Sequence, residues 1–191
     1  MTREKILSEA ASLFNTQGFK ATSLSDITKA TGLTKGAIYR HFGDKEGLEA
    51  YTFDFMAGKM QSQLASAIQL KDNAPDKLLA ICEYFQSYLQ FPALKGGCPI
   101  LNAGVEMDDT RPKLNQQVVS LLDKLQQTLE NIISKGIKYG QIKTGTEPVA
   151  FSTLFIAALE GGVLLSKVRN RDRDLEMVIA FLHTQIECIK V

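Results

Sequence analysis

Paired cysteines are missing from this sequence. Its three, Cys82, Cys98 and Cys188, lie far apart and form no CxxC pair. That argues against a disulfide framework or a zinc site and suits a reducing, cytoplasmic setting. The N-terminal residues lack the charged, apolar and cleavage-site layout of a signal peptide. No uninterrupted apolar run is long enough to span a bilayer. The most apolar stretch, around Leu154 to Leu165, is broken by Glu160 and two glycines, so no membrane partner is expected. An excess of one charge sign is also missing. The formal net charge is +1, and residues 1–47 hold seven Lys/Arg against five Asp/Glu. DNA binding must therefore be argued from geometry rather than bulk charge. There is no Ser/His/Asp set, phosphate loop or metal-spaced cluster. Hence no catalytic residue, metal site or cofactor is assigned, and the acidic run Glu106-Met107-Asp108-Asp109 reads as a solvated helix end.

What is present is an ordinary globular balance, 45% hydrophobic and 23% charged. Every long segment has helical periodicity, and none alternates as a half-buried strand does. The expectation is an all-α protein. Its first helix follows Thr2 as N-cap, buries Ile6, Leu7, Ala10, Leu13 and Phe14, and ends at Gly18. Ser23 caps a second helix, with Asp26 placed to return a capping-box bond, and Gly32 stops it. Only Leu33 then precedes Thr34, the N-cap of a short third helix. Two short helices joined by so tight a glycine-containing turn must cross steeply, as in a helix-turn-helix. Gly43 ends the third helix, and Asp44 caps a long fourth helix from Lys45 to about Leu70. Its expected face is Leu48, Tyr51, Phe55, Met56, Met60 and Leu64. Further helices are expected from Asn73, from Pro99 to about Met107, from Thr110 to about Lys138, from Glu147 to Val168 and from Arg173 to Ile189.

A helix-turn-helix places its second helix in the DNA major groove. The third helix buries Ile38 and Phe42 and leaves Thr34, Lys35, Gly36, Ala37, Tyr39, Arg40 and His41 to supply donors, small residues and apolar surface. Lys45, in the first turn of the fourth helix, suits a phosphate. Thr22 and Thr28 are expected to clamp the backbone from the other side. His41 has no second histidine nearby in sequence and is read as groove-facing or capping rather than metal-binding. The alternative is a small helical bundle end with a solvated polar face.

The ordered run from Ile6, Ala10 and Leu13-Phe14 through Gly18-Phe19, Thr22-Ser23-Leu24, Asp26-Ile27 and Gly32-Leu33-Thr34-Lys35-Gly36-Ala37-Ile38-Tyr39-Arg40-His41-Phe42 to Lys45-Glu46 and Leu48 resembles the N-terminal domain of TetR-family regulators. It covers about a quarter of the chain. The resemblance implies about nine helices, a homodimer, and binding to double-stranded operator DNA that a small molecule relieves. It maps recognition-helix contacts onto Lys35, Gly36, Ala37, Tyr39, Arg40 and His41, and a phosphate contact onto Lys45. Thr28, where many members carry alanine, and Gly43-Asp44, where basic residues are frequent, depart from the pattern. The expected division is a DNA-binding domain at 1–47 and a helical effector-binding and dimerisation domain at 48–191.

The segment Gly96-Gly97-Cys98-Pro99-Ile100-Leu101-Asn102-Ala103-Gly104-Val105-Glu106 also looks like one that lines the effector pocket in a subgroup of the family. Candidate pocket walls are Phe55, Phe85, Tyr88, Leu101, Val105, Leu122, Leu125, Phe151 and Phe155. Candidate polar contacts are Tyr84, Cys98, Asn102 and Glu106. An unidentified, largely apolar effector is implied, although many of these residues also suit plain core. Cys98 has a further reading as a redox sensor. The helix from Glu147 is apolar almost all round and must be covered on several sides. Leu154, Ala157, Ala158, Gly161, Gly162 and Leu165, with Val178, Leu182 and Ile186 of the last helix, are the expected dimer interface. The competing classes are an enzyme, a helical adaptor, and a DNA-binding protein without small-molecule regulation.

Overall fold

The computed structural model describes residues 3–87, 96–106 and 111–191. Among them, nine α-helices follow one another: α1 (Arg3–Gln17), α2 (Leu24–Thr31), α3 (Lys35–Phe42), α4 (Lys45–Gln69), α5 (Ala74–Ser87), α6 (Pro99–Gly104), α7 (Pro112–Lys138), α8 (Pro148–Arg169) and α9 (Arg173–Ile189). The described residues form no strand beyond an isolated bridge between Ile142 and Lys190. The chain divides into two compact units, Met1–Met60 with Leu89–Leu121, and Gln61–Tyr88 with Leu122–Val191. The first unit thus extends past residue 47, because it includes α6 and the starts of α4 and α7. The expected cap Thr2 lies outside the described residues.

In the first unit, α1 buries Ile6, Leu7, Ala10, Ala11 and Phe14. Phe14 stacks on Phe19 with centroids 4.8 Å apart. The Ser23 hydroxyl accepts from the Asp26 N–H at 3.2 Å, and the Asp26 carboxylate accepts from the Ser23 N–H at 2.8 Å. This is the reciprocal capping box. Gly32 closes α2 with φ 70°, a left-handed conformation that glycine adopts without a Cβ clash. Ile27, Ile38, Phe42 and Leu48 are all buried. On α4, Phe53 joins Leu48, Met56 and Met60 in the core, whereas Tyr51 is exposed and Phe55 half-buried. Cations cover those two rings instead of core: Arg3 lies 4.3 Å from the Tyr51 centroid and Lys59 lies 4.6 Å from that of Phe55.

In the second unit, Asn73 caps α5, its Oδ1 accepting from the Asp76 N–H at 2.9 Å. The Ala74 N–H donates to Gln141 Oε1 at 2.9 Å, tying α5 to the turn after α7. Helix α8 packs on α9 and α5. By length and composition α8 could cross a membrane, since the glycines and Glu160 do not break the 22-residue helix. Within the chain it buries Ser152, Phe155, Ile156, Leu159, Gly162, Val163 and Ser166. A Cβ on Gly162 would lie 2.9 Å from Leu175 and 3.2 Å from Val178, so glycine lets α9 approach closely.

The link from α8 to α9 turns on Asn170 at φ 50°. It is held by Asp174, whose carboxylate accepts from Arg171 Nε at 2.7 Å and Arg169 Nη1 at 2.8 Å. The Leu175 N–H donates to Ser166 Oγ at 2.9 Å. The hydrogen bond from Arg171 is the main cause holding the Asp174 carboxyl below its ordinary range, with Arg169 adding to it and desolvation opposing. A carboxylate lowered in the folded state stabilises the fold above its unfolded pKa, and that contribution is lost as pH falls through the folded value. Asp174→Asn is expected to lower Tm at neutral pH, with a gap from wild type that closes as pH drops below about 4. Melting curves at several pH values check this, and a constant gap would overturn it.

Candidate DNA-reading face and regulatory body

Helix α3 has eight residues, too few to persist alone in water. The Thr34 hydroxyl accepts from the Ala37 N–H at 3.3 Å. The Gly43 N–H bonds to the Tyr39 carbonyl at 2.7 Å. Between these ends, Ile38 is 0% and Tyr39 43% exposed, which fixes the helix rotation. Thr34, Lys35, Gly36, Arg40 and His41 are exposed and Ala37 is half-buried, so the seven candidates of this segment lie at or beside one open surface. A Cβ on Gly36 would meet no atom within 4 Å. Nothing in the chain's own packing demands glycine there.

The flanking candidates behave differently. Thr28 is half-buried, and its hydroxyl donates to the Ser25 carbonyl at 2.8 Å. Thr22 corrects the sequence expectation. Its side chain is fully buried, and its hydroxyl donates to the Gly18 carbonyl at 2.7 Å. It closes the α1–α2 turn and presents no hydroxyl for a phosphate. Lys45 is half-buried, its Nζ donating to the Phe19 carbonyl at 3.2 Å and lying 3.4 Å from Glu49 Oε1. Glu49 in turn has its Oε2 3.5 Å from Arg111 Nε. Burial pushes the Glu49 carboxyl up, while Arg111 and Lys45 pull it back. Sequence reading missed Glu49 and Arg111. An acidic residue on an apolar stripe, four residues after Lys45, is the local signal for Glu49, and Arg111 lies far along the chain just before α7.

Helix α6 gives the second correction. Asn102 Nδ2 donates to Asn15 Oδ1 at 2.9 Å and to the Gly96 carbonyl at 2.8 Å. Asn15, itself buried, donates to the Gly97 carbonyl at 2.8 Å. The Glu106 carboxylate accepts from the N–H groups of Phe19 at 3.1 Å and Lys20 at 2.9 Å. These polar groups, expected to meet a ligand, fasten α6 to the end of α1: Asn102 donates to acceptors there, and Glu106 accepts from the backbone N–H groups that follow it. Val105 is 75% exposed. Cys98 is wholly buried at the N-cap of α6, so its thiol is not an accessible redox sensor.

Of the remaining ligand candidates, Leu101 and Phe55 are half-buried in the first unit. In the second, Tyr84, Phe85, Leu125 and Phe155 are buried, while Leu122 and Phe151 are half-buried. Tyr84 and Phe85 meet edge to face at 5.9 Å, and Phe151 and Phe155 lie 6.0 Å apart. Tyr88 lies outside the described residues.

The dimer candidates separate into two sets. Leu154, Ala157 and Leu165 are exposed, with Ala158 and Gly161 half-buried beside them. Gly162, Leu182 and Ile186 are buried, and the half-buried Val178 packs against Gly162. This second set faces inward within one chain, which corrects its assignment to an interface. The large apolar α9 residues left outward are Met177 and Phe181, joined on α8 by Leu164 and Val168. Sequence reading followed the stronger stripe of α9, and the stronger stripe serves the chain's own core.

An outward-facing, capped second helix on a tight helix-turn-helix, carried by an all-helical body, defines a DNA-binding transcriptional regulator. Residues 6–51 match the family model of bacterial regulatory proteins of the tetR family, and residues 74–182 match that of the tetracyclin repressor-like C-terminal domain. The chain belongs to the TetR family. A TetR transcriptional regulator from Chloroflexus aurantiacus is 38% identical, covering 97% of this chain and 93% of its own, with a TM-score of 0.92. The transcriptional repressor DhaR of a Mycobacterium species is 24% identical over 89% of this chain and 85% of its own length. CifR, solved with a 26-bp double-strand operator, shares the fold at 16% identity and a TM-score of 0.86, covering 99% of this chain and 97% of its own.

Tyr39→Ala and Lys45→Ala are expected to weaken binding on every DNA sequence, and Arg40→Ala to change sequence preference. Selection from random DNA and titration of the selected sites check this; three variants with wild-type affinity and preference would remove the assignment. Thr34→Ala is expected to cost about 1 kcal/mol of stability through the lost cap, read by urea unfolding.

Proposed function

We propose that the protein is a homodimeric, cytoplasmic repressor that binds operator DNA through α3 and leaves it when a small, largely apolar molecule binds the helical body. It is not an enzyme on this reading. The observation that carries the reading is the outward polar face of α3 from Thr34 to His41, rotated by the burial of Ile38 and Phe42. Lys35, Tyr39 and Arg40 supply donors for phosphates and base edges, and bare Gly36 admits close approach of a groove wall.

One short recognition helix binds weakly, and two half-sites roughly 34 Å apart give specificity. The exposed apolar residues of α8 and α9 support a dimer. Leu154 at 71% exposure and Phe181 at 57% are large side chains on the surface of a lone chain, and Val168 and Met177 extend the patch. Pairing both helices with their copies across a two-fold axis would cover them. The effector reading is supported by the apolar and aromatic side chains Phe85, Leu125, Phe151 and Phe155 of the helical body. A ligand shifts DNA affinity only by its differential affinity for the two states.

Titrating a selected DNA site across salt concentration tests the core of the proposal. Affinity is expected to fall steeply and linearly on logarithmic axes; salt-independent or absent binding would overturn it. Phe181→Asp is expected to give a monomer by light scattering and to lose DNA affinity. Leu182→Ala should instead lower stability by about 2–5 kcal/mol through a core cavity. A Phe181→Asp protein that stays dimeric would place the interface elsewhere.

A further inference from the structure

Lys45 has two roles to reconcile. It is the cation placed for a DNA phosphate, and in the unbound protein it is already engaged. Its Nζ sits 3.2 Å from the Phe19 carbonyl and 3.4 Å from Glu49 Oε1. Glu49 is an unusual neighbour. Its side chain is only 3% exposed, and a buried carboxylate is costly unless cations compensate it. Two do so, one at each oxygen: Lys45 at Oε1 and Arg111 at Oε2, the latter 3.5 Å away. Neither contact, at 3.4 and 3.5 Å, is an aligned hydrogen bond, and Glu49 Oε1 and Arg111 Nη1 are buried without hydrogen-bond partners. The carboxylate is therefore held chiefly by charge. Charge compensation, unlike a set of directed bonds, can be redistributed when one cation moves.

Arg111 and Lys45 differ in what they can do. Arg111 precedes α7, and its side chain is 20% exposed. Lys45 begins α4 beside the reading helix, is 32% exposed, and carries a flexible stem. Drawing Lys45 toward a phosphate takes one of the two cations from Glu49. With Arg111 in place the carboxylate keeps a counter-charge. Without it, the same movement would strand a buried anion, and Lys45 would stay with Glu49.

We propose that Arg111 is a positioning residue for DNA binding: by compensating buried Glu49, it frees Lys45 to pair with a DNA phosphate. Glu49 is the competitor for that lysine. The inference rests on the DNA-binding reading above and assigns a role to two residues outside the helix-turn-helix.

The test uses full-length protein, a DNA site selected by the wild type, and affinity measured against salt at about pH 8, far above the ordinary carboxylate range. Lys45→Ala serves as reference and is expected to reduce the salt slope by about one. Arg111→Met keeps an unbranched apolar stem and removes the charge. It is expected to weaken binding by about tenfold and to reduce the slope by about one, as if Lys45 were absent. Arg111→Lys should restore most of the affinity. Glu49→Gln should bind at least as tightly as wild type, and Glu49→Gln with Arg111→Met should lie within about threefold of Glu49→Gln alone, with the slope recovered. A purely structural role for the pair predicts the opposite, with both single variants weakened and the double variant no better. That result overturns the inference, as does a Glu49→Gln protein that binds more weakly than wild type, a measurement that stands even where Arg111→Met fails to fold. A Lys45→Ala slope equal to wild type removes the phosphate contact itself. No salt-dependent binding by wild type removes the DNA-binding reading instead.

Discussion

The reading helix owes its existence to side chains that never face the solvent. Eight residues cannot offset the cost of helix nucleation, so α3 forms because Ile38 and Phe42 bury against the head and because Thr34 and the Gly43 turn satisfy its ends. The same burial sets rotation. With Ile38 and Phe42 inward, Tyr39, Arg40 and Lys35 have no other direction than outward. The exposed polar face is thus a by-product of apolar packing one side-chain layer below it, and a loss of that packing would scatter the outward groups of α3 without touching any of them.

A second layer of polar contacts holds this head. Glu106 accepts from two backbone N–H groups at the end of α1, Asn102 and Asn15 bridge through the Gly96 and Gly97 carbonyls, and Glu49 sits between two cations. Each links residues more than eighty positions apart or a helix to a distant segment, so together they fix the arrangement of the head. They fasten α6 and the start of α7 to the helix-turn-helix, so the unit that presents α3 is larger than the motif that contains it.

The helices, their caps and the reading face were legible in the sequence because they depend on local chemistry. Ser23 with Asp26, Gly32 and Thr34 each act within a few residues of where they stand. The buried stripes of α2 and α3 follow from spacing alone. Legibility failed mostly where a side chain's partner lay far along the chain. Glu106 looks like a ligand-binding group until the backbone donors of Phe19 and Lys20 are placed beside it, and Asn102 until its amide is found on Asn15. Thr22 misled despite a local partner, because spacing does not show its hydroxyl turned back onto the Gly18 carbonyl four residues earlier. On α9 two apolar stripes compete, and spacing cannot tell which one meets α8 of the same chain. Leu182 and Ile186 proved to be that stripe. Tyr51 misled for a different reason, because a cation stacked on its ring lets an aromatic remain at the surface.

Gly18 is constrained from two directions. Its φ of 93° disfavours any side chain, and a Cβ there would also run into the Glu106 carboxylate. Shortening residue 106 would open the space but remove the acceptor for the Phe19 and Lys20 amides, and would leave the backbone conformation as demanding as before. The two sites therefore cannot drift independently. A residue far along the chain but in the same compact unit restricts which mutations the helix-turn-helix can tolerate, so part of the pattern that marks the motif is imposed from outside it.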